Sequence, residues 1–386
     1  MAQAETNGLA RAEQYYGEYG SRARALKASG SKVIGYLTAL GPVEILTAAG
    51  VVPVRLKGNV FEPITRADAH METIVCPFIR NVFDAALKGK YDFLDGMVMP
   101  HQCDSTDKTS NVWGYNLKLP YWHFLNVPHL TDDPSLEFFR SVLAYFVTSL
   151  ERFTGTKITD AGLARAVQKH NENRQAMRDL YGLRKTDPPL ISGVEMMKVL
   201  VAAMSLPVDE SIALVKSVTE EVRKRKEATG GRPGARVMLV GDQIDDAALV
   251  QVIEDAGAHL VMDYLSLGSK MYWGDVDVTP DPLGALAERY LRKLKLPTTY
   301  IGSGANYEEN LDARFGHIKR LAEEFRVNAV ILFVYKYCDP YGFEVPALKS
   351  FIEKAGVPVL YLEDEYSAST LPRVKTRIEA FLEMIA

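Results

Sequence analysis

Short apolar runs alternate with helix-length amphipathic segments along most of this chain. Lys32–Leu37 is apolar and ends at Gly41-Pro42, Val43–Gly50 carries helical spacing, and Val51–Leu56 is apolar again. The opening therefore reads strand, helix, strand. The same grammar returns at Arg236–Gly241, Asp245–Ala256 and Gly257–Met262. Further runs at Phe93–Met99 and Tyr121–Leu125 continue the first copy, and Val327–Val334 and Val357–Leu362 continue the second. Strands buried on both faces read as near-continuous apolar runs, so the pattern predicts an α/β fold of two doubly wound parallel-sheet (flavodoxin-like) domains. Between them, Asp133–Ala228 shows i, i+3, i+4 apolar spacing with almost no strand signal, which predicts an intervening helical region. The expected division is an N-terminal helical segment at 1–31, a first α/β domain at 32–132, a helical region at 133–229 and a second α/β domain at 230–386. The Thr229–Gly234 stretch, rich in glycine, is the expected linker, and the N-terminal segment is expected to help a partner subunit dock.

Composition narrows the function classes. Of 386 residues, 47% are hydrophobic and 24% charged, enough for real cores. With 45 Lys+Arg against 49 Asp+Glu, the net charge of −4 offers no basic excess for a phosphate backbone, so no nucleic-acid partner is expected. No apolar run approaches the roughly 18 residues of a membrane helix, and the first six residues lack the basic flank and apolar core of an export signal. The expectation is a cytoplasmic protein with no membrane partner.

Ligands of open parallel sheets bind beyond the carboxyl ends of the strands, and two of the three cysteines sit there. Cys103 follows Met99-Pro100-His101-Gln102, and Cys338 follows Tyr335-Lys336-Tyr337; each precedes Asp, at equivalent places in the two copies. Cys76 precedes Pro77 at the start of a predicted helix, where the helix dipole favours a thiolate. An odd, sparse set argues against a disulfide framework. Zinc would call for close C-x₂₋₄-C pairs, which are missing. Three thiolates gathered by tertiary structure, with a fourth position open, suit an iron–sulfur cluster with one non-cysteine ligand; the other reading is three inert core cysteines in a non-catalytic α/β binding module.

Gly41-Pro42-Val43-Glu44-Ile45-Leu46-Thr47-Ala48-Ala49-Gly50-Val51-Val52-Pro53 resembles the P-x-E-(L/I)-x-x-A-A-G-x-x-P opening of the 2-hydroxyacyl-CoA dehydratase / benzoyl-CoA reductase family. Cys76, the Asp95–Asp104 block and Tyr337-Cys338-Asp339-Pro340 follow that family's cysteine positions in order, and the resemblance spans nearly the whole chain. It implies two α/β domains, one [4Fe–4S] cluster on Cys76, Cys103 and Cys338, and low-potential electron chemistry on an acyl-CoA thioester. It also implies a homologous second cluster-bearing subunit and a separate ATP-hydrolysing electron-donating activator. This chain carries no G-x-x-x-x-G-K-[ST] loop, so ATP would be split elsewhere.

Within the family, the aromatic segment Trp113–His129 is most like the smaller cluster-bearing subunit of ATP-dependent benzoyl-CoA reductase; the alternative is a 2-hydroxyacyl-CoA dehydratase subunit acting through a ketyl radical. His101 and His123 are the candidate proton donors. Thr38, Gly41 and Glu44, at the first strand-to-helix junction, are candidates for meeting the thioester, although Glu44 serves equally as a first-turn carboxylate on the helix dipole. Lys336 is read as a surface lysine, and Gly302-Ser303-Gly304 as an incomplete dinucleotide fingerprint.

Overall fold

The computed structural model describes residues 7–225, 234–301 and 306–385. The first half carries β1 (Val33–Tyr36), β2 (Val52–Arg55), β3 (Gly96–Pro100) and β4 (Tyr121–Leu125), all parallel, in the order β2-β1-β3-β4. The second carries β5 (Arg236–Val240), β6 (His259–Tyr264), β7 (Ala329–Tyr335) and β8 (Val359–Asp364), parallel in the matching order β6-β5-β7-β8. The expected pair of flavodoxin-like sheets is therefore present. The central strands β1, β3 and β5 are buried throughout, and the edge strands β4 and β8 are not.

Helices Asp133–Thr154, Asp160–Gly182, Gly193–Ala203 and Val208–Arg223 fill the stretch between the sheets. Period-two alternation divides the first sheet's side chains between two cores. Ile34, Tyr36, Val98 and Tyr121 pack with Phe139, Phe146 and Leu150 on one face, while Val33, Val54, Met97 and Met99 pack with Phe83 and Trp113 on the other. The second sheet forms the largest core with the helices from Gly193 onward. Two segments cross between halves. Val276, Leu286, Tyr290 and Leu296, which the sequence division puts in the second domain, pack on the first sheet, and Tyr366 enters its other core. Most of the expected linker, Thr229 to Pro233, and the Gly302–Ala305 stretch lie outside the described residues.

The N-terminal segment is helical over Gly8–Gly17 and Ser21–Ala28. Its apolar side, with Ala12, Leu9 and Tyr16, is packed inside this chain. A Cβ on Gly8 would lie 2.7 Å from the Val218 backbone nitrogen, so the helix sits directly on its neighbour.

Close strand approach also makes a test. A Cβ on Gly96 would lie 2.6 Å from Tyr121 Cβ and 2.8 Å from its carbonyl oxygen. Gly96→Ala must push β3 and β4 apart, and we expect about 1–3 kcal/mol of destabilisation, the range for overpacked sites, read as a lower urea midpoint.

Candidate functional site

In this strand order the chain leaves the sheet in opposite directions after its first and third strands, which opens a crevice at their carboxyl ends. The two crevices face each other. The second residue beyond each of the four strands concerned, Thr38 after β1, Gln102 after β3, Asp242 after β5 and Tyr337 after β7, lines one cavity of about 240 Å³. Thr38 and Tyr337 both hold left-handed backbone, at φ 65° and 63°. For a β-branched and an aromatic residue this costs of order 1–3 kcal/mol each and persists only where the surroundings enforce it. Hydrogen bonds close the halves over the cavity: Gln102 Nε2 donates to Asp242 Oδ2 (3.1 Å), and Arg55 donates to the Ser266 carbonyl (2.8 Å) and to Gln243 Oε1 (2.6 Å).

Cys76, Cys103 and Cys338 all line this cavity. Each is the N-cap of a helix, Pro77–Leu87, Asp104–Leu117 and Asp339–Lys354 respectively. Pro77 and Pro340 stand in first turns, where the missing N–H costs nothing. Thr106 fixes the Cys103 turn, its hydroxyl taking the N–H of Gln102 (3.0 Å) and of Cys103 (3.1 Å).

The dipole argument predicts lowered thiol pKa values, and the structure reverses it. Burial pushes the Cys76 thiol up to about 12; the Ile79 amide opposes this, and neighbouring Cys103 adds to it. Burial likewise raises Cys103, against the Thr106 amide, and Cys338, where Cys76 and Asp242 add to the effect. All three remain partly exposed because they face the cavity. The protein on their other sides is dense enough for desolvation to outweigh the helix termini. The thiols are free and mutually coupled, and a cationic centre between them would reverse their preference for the proton. Among the described residues no group of three or more His, Cys, Asp or Glu is gathered as a metal-ion site. Ligands of a four-iron cluster attach to separate irons, so the relevant fit is thiols distributed around a cavity, with first-turn amides directed at the sulfurs. The donor set and its placement meet that test.

The other expected site residues divide. Thr38 lines the cavity; Gly41 and Glu44 do not. Glu44 is fully buried in an ion pair with Arg174 and accepts a hydrogen bond from Tyr290 Oη (2.8 Å). Burial alone would raise its pKa, but Arg174, then His170 and Arg289, hold it down at about 2. These contacts tie the first strand-to-helix junction to the helical region. Gly41 accepts from the same Tyr290 hydroxyl (3.2 Å). His123 is packed between Tyr121, Tyr145 and Phe146, away from the cavity, and burial lowers its pKa to about 4. His101 lies behind the cavity wall, its ring 4.7 Å from that of His129. His129 is the imidazole that lines the cavity; its Nε2 is buried without a partner, and burial and then His101 lower its pKa. Lys336 pairs with Glu365 (3.0 Å).

Two facing flavodoxin-like sheets that bring three cysteines, each at a helix N-cap position, to one cavity define an α/β protein with two such sheets and a shared thiol-lined site. Residues 38–385 match the family model described as 2-hydroxyglutaryl-CoA dehydratase, D-component. The chain belongs to this family. It is 26% identical over 367 residues to the (R)-phenyllactyl-CoA dehydratase beta subunit of Clostridium sporogenes, covering 93% of each chain. It is 26% identical over 361 residues to a benzoyl-CoA reductase subunit of Thauera aromatica, covering 92% of this chain and 91% of that one. It is 24% identical over 363 residues to the beta subunit of (R)-2-hydroxyglutaryl-CoA dehydratase of Acidaminococcus fermentans, covering 93% and 94%. These relatives are subunits of dehydratase and reductase enzymes. Among the described residues no helix is long and apolar enough to cross a membrane.

Proposed function

We propose that this chain is the cluster-bearing subunit of an enzyme complex that passes low-potential electrons to an acyl-CoA thioester, of the ATP-dependent benzoyl-CoA reductase type. The observation that carries this reading is the convergence of Cys76, Cys103 and Cys338, each capping a helix, on one cavity where two sheets meet. When bound there, a [4Fe–4S] cluster supplies single electrons at low potential. The chain's own residues do the rest. The three cysteines hold the group, and the crossing bonds from Gln102 and Arg55 fix the two halves around it. Phe78, Ile79, Tyr341 and Phe343 give the cavity an apolar wall on which a flat ring can lie. His129, with the His101 ring tilted against it 4.7 Å away, takes the proton-handling role for which His101 and His123 were the sequence candidates. Thr38 is the residue of the first junction placed to meet the acyl group.

Of the aromatic segment that resembles the reductase, Trp113–His129, only His129 lines the cavity. Trp113 is buried against Phe83, with ring centroids 5.0 Å apart, and His123 is in the core. The reductase reading therefore rests on the cavity wall and on the likeness to a benzoyl-CoA reductase subunit. The family description itself favours a second reading, a 2-hydroxyacyl-CoA dehydratase subunit. In either case the reading includes a homologous second subunit and an ATP-hydrolysing activator as partners.

One assay separates the two. The purified complex, with activator, reductant and ATP, is offered benzoyl-CoA and, separately, an (R)-2-hydroxyacyl-CoA. We expect reductant to be consumed in proportion to a cyclic dienoyl-CoA product. Water elimination from the hydroxyacyl substrate with no net electron consumption would establish the dehydratase instead.

A further inference from the structure

Beside the thiols stands a charged pair, the fully buried Lys270 and the cavity-lining Asp242, to which neither ligation nor the proposed substrate contacts assign a role. Lys270 has no exposed side-chain surface. Its Nζ donates to the Gly241 carbonyl (3.0 Å) and to Tyr341 Oη (2.6 Å), Asp242 Oδ1 stands 3.7 Å away, and the Tyr264 and Tyr341 rings lie 4.7 and 5.0 Å from the ammonium. Tyr341 Oη donates to the same Gly241 carbonyl (2.7 Å), and Tyr341 belongs to the first turn of the helix that Cys338 caps. Asp242 accepts from Gln102 Nε2, from Gln243 Nε2 (3.1 Å) and from Ser266 Oγ. Gln102 immediately precedes Cys103. One series of polar contacts thus runs from the Cys103 loop through Gln102, Asp242, Lys270 and Tyr341 to the Cys338 helix, crossing from one half of the molecule to the other.

Asp242 is the ion-pair partner of Lys270, at 3.7 Å and without a direct hydrogen bond. Taking an ammonium out of water costs several kcal/mol unless a close, hydrogen-bonded partner compensates it. Asp242 stands beyond hydrogen-bond reach of Lys270 and spends its own acceptors on two amides and a hydroxyl. Glu344 also acts on Lys270, but it is engaged by Arg314, which repels the lysine. Geometry links Lys270 to the thiol site through Tyr341, which accepts the ammonium's hydrogen bond (2.6 Å), lies in the first turn of the helix that follows Cys338 and lines the same cavity.

We propose that Lys270 is a positioning residue whose buried ammonium is the counter-charge for electron addition at the Cys76, Cys103 and Cys338 site, opposed and held in place by Asp242. This rests on the reading of the three cysteines as cluster ligands. Each electron added to such a site adds a negative charge. A fixed cation in a low-dielectric surrounding favours the reduced state, and a fixed anion disfavours it.

The signs give a test that a structural role cannot imitate. Lys270→Met, Lys270→Arg and Asp242→Asn are made in the full chain, loaded anaerobically with iron and sulfide, and titrated with a low-potential chemical reductant while the reduced signal is followed by electron paramagnetic resonance. Lys270→Met should lower the midpoint by at least a tenfold change in the one-electron equilibrium, which is 59 mV. Asp242→Asn should raise it, and Lys270→Arg should stay near the parent. Loaded variants whose midpoints are unmoved, or move in the same direction, overturn the proposal. If Lys270→Met takes up no iron, Asp242→Asn decides alone: a rise supports the counter-charge and its absence overturns it. Iron content reports separately on the underlying reading, because a parent chain that takes up no iron overturns the cluster assignment and this proposal with it.

Discussion

Replacing Cys76, Cys103 or Cys338 by Ala, one at a time, should strip most of the iron from anaerobically reconstituted protein, where the parent holds about four irons per chain. All three thiols line the same cavity, and each supplies one donor from a different helix terminus, so no neighbouring thiol stands ready to replace a lost one. Electron transfer to substrate in the assembled complex should fall with the iron. The fold should survive, because an N-cap lost to Ala costs typically about 1 kcal/mol, so the iron-free variants should keep the parent's far-ultraviolet circular dichroism. The three inert cysteines of a binding module predict a different pattern: a colourless parent without iron, and ligand binding that is the same in all three variants. Iron and sulfide analysis of the four proteins side by side separates these outcomes.

How much of this was legible beforehand depends on whether a residue's partner lay near it in sequence. The strands were readable because burial on both faces leaves continuous apolar runs, and the match between copies placed Cys103 and Cys338 in equivalent loops. Where an amphipathic helix docks is not written in its own periodicity. The 276–296 segment shows an apolar side, but only tertiary structure selects the first sheet for it over the second. His123 could have been placed from β4 itself: alternation puts it on the side of Tyr121 and Leu125, against the helix that carries Phe146. Gln102, Asp242 and Lys270 read as ordinary polar residues because their partners are remote; Gln102 and Asp242 are 140 positions apart. For Gln102 and Asp242 the usable signal was positional, two residues beyond the ends of β3 and β5, in the same kind of strand-end loop that holds Cys103 and Cys338.

Glu44 shows the same limit and carries the largest stability effect expected here. In sequence it is a first-turn carboxylate near a candidate thioester site; in the fold its partner Arg174 is 130 residues away, and both side chains are buried. Removing one member of such a pair leaves an uncompensated buried charge and costs about 3–5 kcal/mol. Arg174→Met should therefore lower the urea midpoint strongly at pH 7, and Glu44→Gln should do so too, since Arg174 then keeps its charge without its counter-ion. The double variant should recover much of either loss, because two neutral side chains of similar size need no charge compensation. Acid gives an independent reading of the same pair. The carboxyl of Glu44 is held at about 2 against an ordinary 4.5, so the stability it contributes is fully present above about pH 4.5 and is lost as pH falls towards 2. That difference corresponds to something on the order of 3 kcal/mol. The parent's urea midpoint should fall across this window, whereas the double variant, lacking the group, should lose correspondingly less; equal acid sensitivity in the two proteins would remove Glu44 as the source.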